Sequence, residues 1–297
     1  MGLRGSLLPL AAALLLAAAA PAPLTPAQIV AAAPEAAWQP VAADDLLVMQ
    51  LGTGQRIVIQ LAPDFAPAHV ANIRALARAK WWDGAAIVRV QDNYVVQWAR
   101  MPEGQPLPPG VAAHPPAEYD RDASGMAMRP LSLQGADADA YAPKVGFVQG
   151  WPTAGDGSRI WLAHCYGMVG VGRDMPPDTG DGSELYAVNG QAPRQLDRNI
   201  ALVGRVVDGM PVLGALPRGT ADLGFYAEAG QRIPIRSIRV ASDMAQADRP
   251  VIETMRTDTP SFDSYLDARA NRRDRFFVRP AGGVDLCNAP VPTRTVR

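Results

Sequence analysis

From about residue 44 the chain alternates apolar and polar positions in short bursts. Residues 47–50 and 56–61 alternate on either side of Gly52-Thr53-Gly54, the pattern of two strands joined by a hairpin turn. Pro63-Asp64-Phe65-Ala66-Pro67 is turn chemistry, and after it the period changes. Over 68–80, Val70, Ile73, Leu76 and Ala77 share one face while Arg74 and Arg78 lie on the other, which predicts an amphipathic helix ended by Asp83-Gly84. Strand-like runs follow at 86–90 and 94–97, joined by the turn Gln91-Asp92-Asn93, and again at 166–171, 185–188, 200–206 and 233–240. Residues 211–216 predict a second short helix, and 262–273 a weaker one. Between 101 and 161 periodicity fails. Prolines, glycines and an acidic Ala/Asp patch at Asp137 and Asp139 predict long loops around a few short strands. No segment repeats.

The two ends read differently. Arg4 precedes an apolar run over 7–20, broken only by Pro9, and small residues continue through Ala22. This is the anatomy of a signal peptide over 1–22, and the run is shorter than the ~20 residues a spanning helix needs. The expectation is an exported, periplasmic protein without an integral membrane span. Residues 23–40 are Ala/Pro-rich and are expected as a linker, 41–241 as the folded domain, and 242–297 as a C-terminal extension. A net charge of -1 over 297 residues argues against nucleic acid as a partner, because phosphate binding needs a basic surface. The cysteines, Cys165 and Cys287, form no CxxC pair. With His69, His114 and His164 they offer no metal-ligand spacing, so no metal or cofactor is expected. Export permits a Cys165–Cys287 disulfide without establishing it. Nothing in the sequence sets an oligomeric state.

Three stretches, taken in order, carry a family resemblance. Ala66-Pro67-Ala68-His69-Val70-Ala71-Asn72-Ile73 is similar to the "AP-x-x-VANF" helix start of the cyclophilins. Trp82-Asp83-Gly84-Ala85-Ala86-Ile87-Val88-Arg89-Val90, followed by Gln97, resembles that family's next hairpin. Residues 196–210, LDRNIALVGRVVDGM, resemble its "LDGKHVVFGRVVEGM". The resemblance spans roughly 44–241. It implies a mainly β fold: a closed antiparallel eight-stranded β-barrel capped by two helices, here with long insertions. It also implies peptidyl-prolyl cis–trans isomerisation, with proline-containing polypeptide segments as partners.

In that reading Arg89 takes the catalytic arginine position and Gln97 the glutamine that orients it. A regular hairpin register would put both on one face, with Arg89 pointing inward. Tyr94, Val95, Tyr186, Leu196 and Ile200 stand where the family lines its proline pocket, and Gly172 where its backbone meets the substrate. The departures are specific. Ile87-Val88 replace Phe-His, Trp98-Ala99-Arg100 replace Gly-Gly-Asp, Glu184 replaces Gln, Arg173 replaces Asn, Gln195 replaces Trp and Ile200 replaces His. They motivate a second expectation, a cyclophilin-like module that binds proline peptides with little or no catalysis.

Overall fold

The structure is a computed structural model that describes residues 23–131 and 139–296. The expected leader at 1–22 lies outside the described residues, as does Asp137. In chain order the elements are α1 (Pro26–Ala32), β1 (Trp38–Pro40), β2 (Leu46–Leu51), β3 (Arg56–Leu61), α2 (Pro67–Arg78), β4 (Ala86–Val90), β5 (Val95–Ala99), β6 (Arg121–Asp122), β7 (Arg129–Pro130), β8 (Lys144–Val148), β9 (Trp151–Gly155), β10 (Arg159–Leu162), β11 (Met168–Val171), β12 (Leu185–Val188), β13 (Leu202–Asp208), α3 (Met210–Gly214), β14 (Ile233–Val240), β15 (Val251–Met255), α4 (Pro260–Ala270) and β16 (Thr293–Val296).

Eight strands close a barrel in the order β11-β12-β5-β4-β14-β2-β3-β13, with β13 pairing back onto β11. Every pairing is antiparallel. Alternation sets the inside. Leu47, Met49 and Leu51 of β2, Ile57, Ile59 and Leu61 of β3, and Val96 and Trp98 of β5 all enter one buried cluster. Helix α2 lays Val70, Ile73, Leu76 and Ala77 on that cluster, and α3 adds Leu213. The first turn of α2 has no side-chain cap of its own, because Ala66 sits at the N-cap. Glu118 supplies one from 101–120: its carboxylate accepts from the Ala68 and His69 amides at 2.9 and 3.0 Å and meets His69 Nδ1 at 2.6 Å.

The other two sheets depart from expectation. Residues 101–161, expected as long loops around a few short strands, hold all but the last residue of the five-stranded sheet β6-β10-β9-β8-β7. β8 and β9 are buried on both faces, except for the first residue of β8, so no period of two marks them. Residues 23–40, expected as a linker, are ordered instead. Thr25 accepts from the Gln28 amide while the Gln28 side chain accepts from the Thr25 amide, a capping box that starts α1 with Pro26 at its first position. Strand β1 then joins β15 and β16 of the C-terminal extension.

The additions share one core with the outer face of the barrel. Phe147 of β8 meets Phe262 of α4 edge-on at 5.0 Å, and Val95, Tyr186, Val188 and Leu202 of the barrel enter the same cluster. Two further ties cross the boundary. Cys165, before β11, is disulfide-bonded to Cys287 of the extension. Arg205 of β13 is buried and donates to Gln60 Oε1 at 2.9 and 3.0 Å, to Gly150 O at 2.7 Å and to Thr254 Oγ1 at 3.3 Å, with its guanidinium 4.6 Å from the Trp151 ring. None of these acceptors is a carboxylate, and burial pulls the guanidinium down to about 10.

Candidate active site

Strands β4 and β5 form the hairpin that carries Arg89 and Gln97. The register is not regular. Ile87 pairs with Trp98, then the ladder shifts, and Arg89 pairs with Gln97. The extra residue, Val88, is a β-bulge, so Ile87 and Val90 both enter the barrel core while Arg89 lies between them. Arg89 therefore does not point into the barrel as a regular register would have it. Gln97, flanked by the core residues Val96 and Trp98, faces outward with it. The bulge is what sets cation and amide side by side.

The Arg89 guanidinium is held at three points. Nη1 donates to Gln97 Oε1 at 2.9 Å, Nε donates to the Leu223 carbonyl at 2.7 Å, and Nη2 donates to Gln91 Oε1. A guanidinium has five N–H groups. Three are used, so one on each terminal nitrogen is left unspent among the described contacts. The rings of Tyr94 and Phe225 flank the cation at 5.6 and 5.3 Å. Leu223 reaches Arg89 from a left-handed backbone, φ 56°, which aims its carbonyl at Nε. Partial burial pulls the guanidinium below its ordinary value, against the fields of Tyr94 and Glu184.

Gln97 is nearly buried, and its Nε2 donates to Glu184 Oε1. Cation, amide and carboxylate thus form a line, which fixes the amide with its oxygen toward Arg89. Burial pushes the Glu184 carboxyl above the usual range. Gln97 and Arg89 oppose this, while Glu103 and Asp174 add like charge. Gly172 packs directly on this carboxylate: a Cβ there would lie 2.7 Å from Glu184 Oε1, so only glycine leaves the space. Beyond Glu184 opens a polar cleft of about 290 Å³, lined among others by Trp81, Arg100, Glu103, Gly172, Arg173 and Asp181.

The apolar positions divide. Tyr94 is half-buried beside Arg89. Val95 and Tyr186 are only 3% and 5% exposed and belong to the core shared with the inserted sheet. Tyr186 stands opposite Gln97 in the ladder and opposite Gly170 on its other side. A Cβ at Gly170 would collide with the Tyr186 ring, so glycine there lets the ring lie across β11. Its hydroxyl meets His164 Nε2 at 3.0 Å, and His164 Nδ1 meets Asp197 Oδ1 at 2.9 Å. Burial drives the Tyr186 phenol far above its ordinary value. Burial would also raise Asp197, but the His164 hydrogen bond and the Arg194 charge outweigh it and hold that carboxyl low. Ile200 is half-buried against the same core and lines a small recess with Trp161, Tyr119 and Leu202. Leu196 is half-buried in the short turn Arg194–Leu196.

The structure therefore joins Arg89, Gln97 and Tyr94 directly and brings Gly172 to them through Glu184. It sets Val95 and Tyr186 under cover and leaves Leu196 and Ile200 to one side. Sequence reasoning missed Phe225, Leu223 and Gln91 as partners of Arg89, and His164 as the partner of Tyr186. Phe225 and Leu223 lie in irregular chain between α3 and β14, where no period or motif could mark them. Among the described residues no group of three or more His, Cys, Asp or Glu could hold a metal ion.

A family model described as cyclophilin type peptidyl-prolyl cis-trans isomerase/CLD matches residues 46–240, about two-thirds of the chain. The chain belongs to this cyclophilin family. Cyclophilins bind proline-containing peptides, and family and fold together give this chain peptidyl-prolyl isomerase activity. Among solved structures it is similar to cyclophilin AquaCyp293 from Hirschia baltica, with 25% identity and a TM-score of 0.68 over 87% of this chain and 93% of that one. That overlap is wider than the family match, so the likeness extends beyond the barrel into the additions. A Cryptosporidium parvum cyclophilin type peptidyl-prolyl cis-trans isomerase, solved in the presence of the dipeptide ala-pro, gives 12% identity and a TM-score of 0.40 over 66% of this chain and 98% of that one. No curated protein matches the chain.

Proposed function

We propose that this cyclophilin catalyses X–Pro isomerisation outside the cytoplasm with Arg89 as its catalytic residue and Gln97 as the residue that positions it. The bond to be turned resists rotation by about 18–20 kcal/mol because the amide is conjugated. Twisting it localises the nitrogen lone pair, so a donor that favours the twisted amide lowers the barrier without nucleophile or cofactor. The observation that carries the assignment is the three-point clamp on Arg89 with two N–H groups still to give. A cation held this way needs little reorganisation when a substrate amide arrives. Of the apolar positions, Tyr94 beside the cation would supply the ground for the proline ring, and Gly172 a backbone contact; Val95 and Tyr186 lie under cover, and Leu196 and Ile200 lie to one side.

Two features support export. Residues 1–22 have signal-peptide anatomy, and the Cys165–Cys287 disulfide belongs to an oxidising compartment. Cell fractionation with N-terminal sequencing of the mature chain tests this. A cytoplasmic, unprocessed protein would contradict it.

One observation favours a second reading, a module in which peptide binding dominates and turnover is weak: Val95 and Tyr186 are covered by the shared core. Exchange spectroscopy on an Ala-Pro peptide separates the two. Cross-peaks between cis and trans signals that grow with added protein carry the isomerase reading. Peptide shifts on binding with little exchange would carry the other.

A further inference from the structure

After α4 the extension runs Asn271-Arg272-Arg273-Asp274-Arg275-Phe276-Phe277-Val278-Arg279-Pro280. Its apolar centre faces water: Phe276 is 84% exposed, Val278 101% and Phe277 37%. Isolated exposed apolar residues are ordinary, but three large ones in succession mark a contact surface. The tip is built to present them. The Phe277 amide closes a turn on the Asp274 carbonyl at 3.0 Å, the two phenylalanine rings meet edge-on at 5.2 Å, and the Arg272 guanidinium stacks 4.3 Å from the Phe277 ring. Arg272 and Arg273 are paired with Asp274 and Asp267, each at 2.8 Å. Arg275 and Arg279 bracket the apolar residues, are exposed, and meet no carboxylate among the described residues.

This is a short projection with an apolar point and a cationic collar. A protein partner of stable affinity needs about 800 Å² of matched surface on each side, and three consecutive side chains offer a fraction of that. A lipid surface needs no matched shape. Aromatic and aliphatic side chains enter the boundary between headgroups and acyl chains, and arginines meet anionic headgroups. A second observation points the same way. Pro23 and Leu24, the first described residues after the apolar run at 7–20, line one cleft of about 400 Å³ with Asn271, Arg272, Arg273 and Asp274. Pro23 and Leu24, which follow the expected leader in sequence, thus lie beside the tip.

We propose that the 275–279 tip docks the protein on the surface of an anionic membrane, with Phe276 and Val278 entering the headgroup boundary and Arg275 and Arg279 pairing with lipid phosphates. The docking is independent of the isomerase reaction. The test is flotation with unilamellar vesicles of phosphatidylcholine alone or mixed with phosphatidylglycerol. It uses the chain from Pro23 onward, which carries every described element but not the apolar leader. The expected result is binding to the mixed vesicles that weakens as salt is raised, with little binding to phosphatidylcholine alone. Arg275→Glu with Arg279→Glu, and separately Phe276→Ser with Val278→Ser, should each lower the bound fraction by about tenfold or more. Circular dichroism and isomerase activity should stay at the parent level, because these side chains lie outside the core. No binding to the mixed vesicles, undiminished binding by both variants, or capture of the tip by a soluble protein in place of the vesicles would overturn the proposal.

Discussion

At the scale of residues, the site is a short electrostatic line. Arg89 is fixed by Gln97, and Gln97 by a glutamate whose carboxyl is buried. With Glu184 ionised, the Gln97 amide has one orientation that satisfies both neighbours. Once protonated, Glu184 loses the charge that strengthens its hold on Gln97 Nε2, and the line that positions Arg89 is loosened. The kcat/KM for proline peptides is therefore expected to fall severalfold as pH is lowered through a value above the ordinary 4.5 of a glutamate, and Glu184→Gln should flatten that step. A pH–rate profile of both proteins checks this; identical profiles would contradict it. The sign for stability is opposite. A carboxyl raised in the folded state binds its proton more tightly there than in the unfolded chain. Stability then declines as pH rises from 4.5 through the raised value. Thermal melts should accordingly show Glu184→Gln at least as stable as the parent at neutral pH.

At the scale of elements, the additions hang on a few side chains, and Arg205 is the one with most to lose. It takes acceptors from β3, from the turn between β8 and β9, and from β15. Arg205→Ala would leave Gln60, Gly150 and Thr254 without that donor and is expected to cost about 2–4 kcal/mol. Urea titration measures this, and an unchanged midpoint would contradict the tie. Elements also show what was legible in the sequence. The barrel strands at 56–61, 86–90, 185–188 and 233–240 match their apolar runs to the residue; β3, β4 and β14 keep exposed or half-buried positions among buried ones, while β12 is a short apolar run buried throughout. The inserted sheet was legible only as a few short strands without bounds, since burial on both faces of β8 and β9 erases alternation and its turns read as loop. The capping box Thr25-Pro26-Ala27-Gln28 was a readable signal in a stretch whose alanines and prolines suggested a linker. Within the site, the residues on β4 and β5 were found through their motif. The bulge at Val88 was not, because it is set by which neighbours the barrel core accepts. Phe225 was out of reach for the same reason: only closure of the barrel brings its loop to Arg89.

At the scale of the whole molecule, a cyclophilin barrel is locked to a second body made from both ends of the chain and a central insertion. The Cys165–Cys287 bond closes 122 residues of sequence. On the loop-entropy estimate this constrains the unfolded chain by about 4–5 kcal/mol. Cys165→Ser with Cys287→Ser should lower stability by an amount of that order while leaving kcat/KM close to the parent value below its melting temperature. Equal denaturation midpoints with and without the bond would contradict that role. The barrel's activity rests on one cation, so the most direct test of the account is the rate of cis–trans exchange of an Ala-Pro peptide catalysed by the chain and by its Arg89→Ala variant, with circular dichroism to verify folding. The account expects a folded variant whose kcat/KM is lower by about 10²–10³-fold. A folded Arg89→Ala protein that turns the peptide over at the parent rate would contradict it.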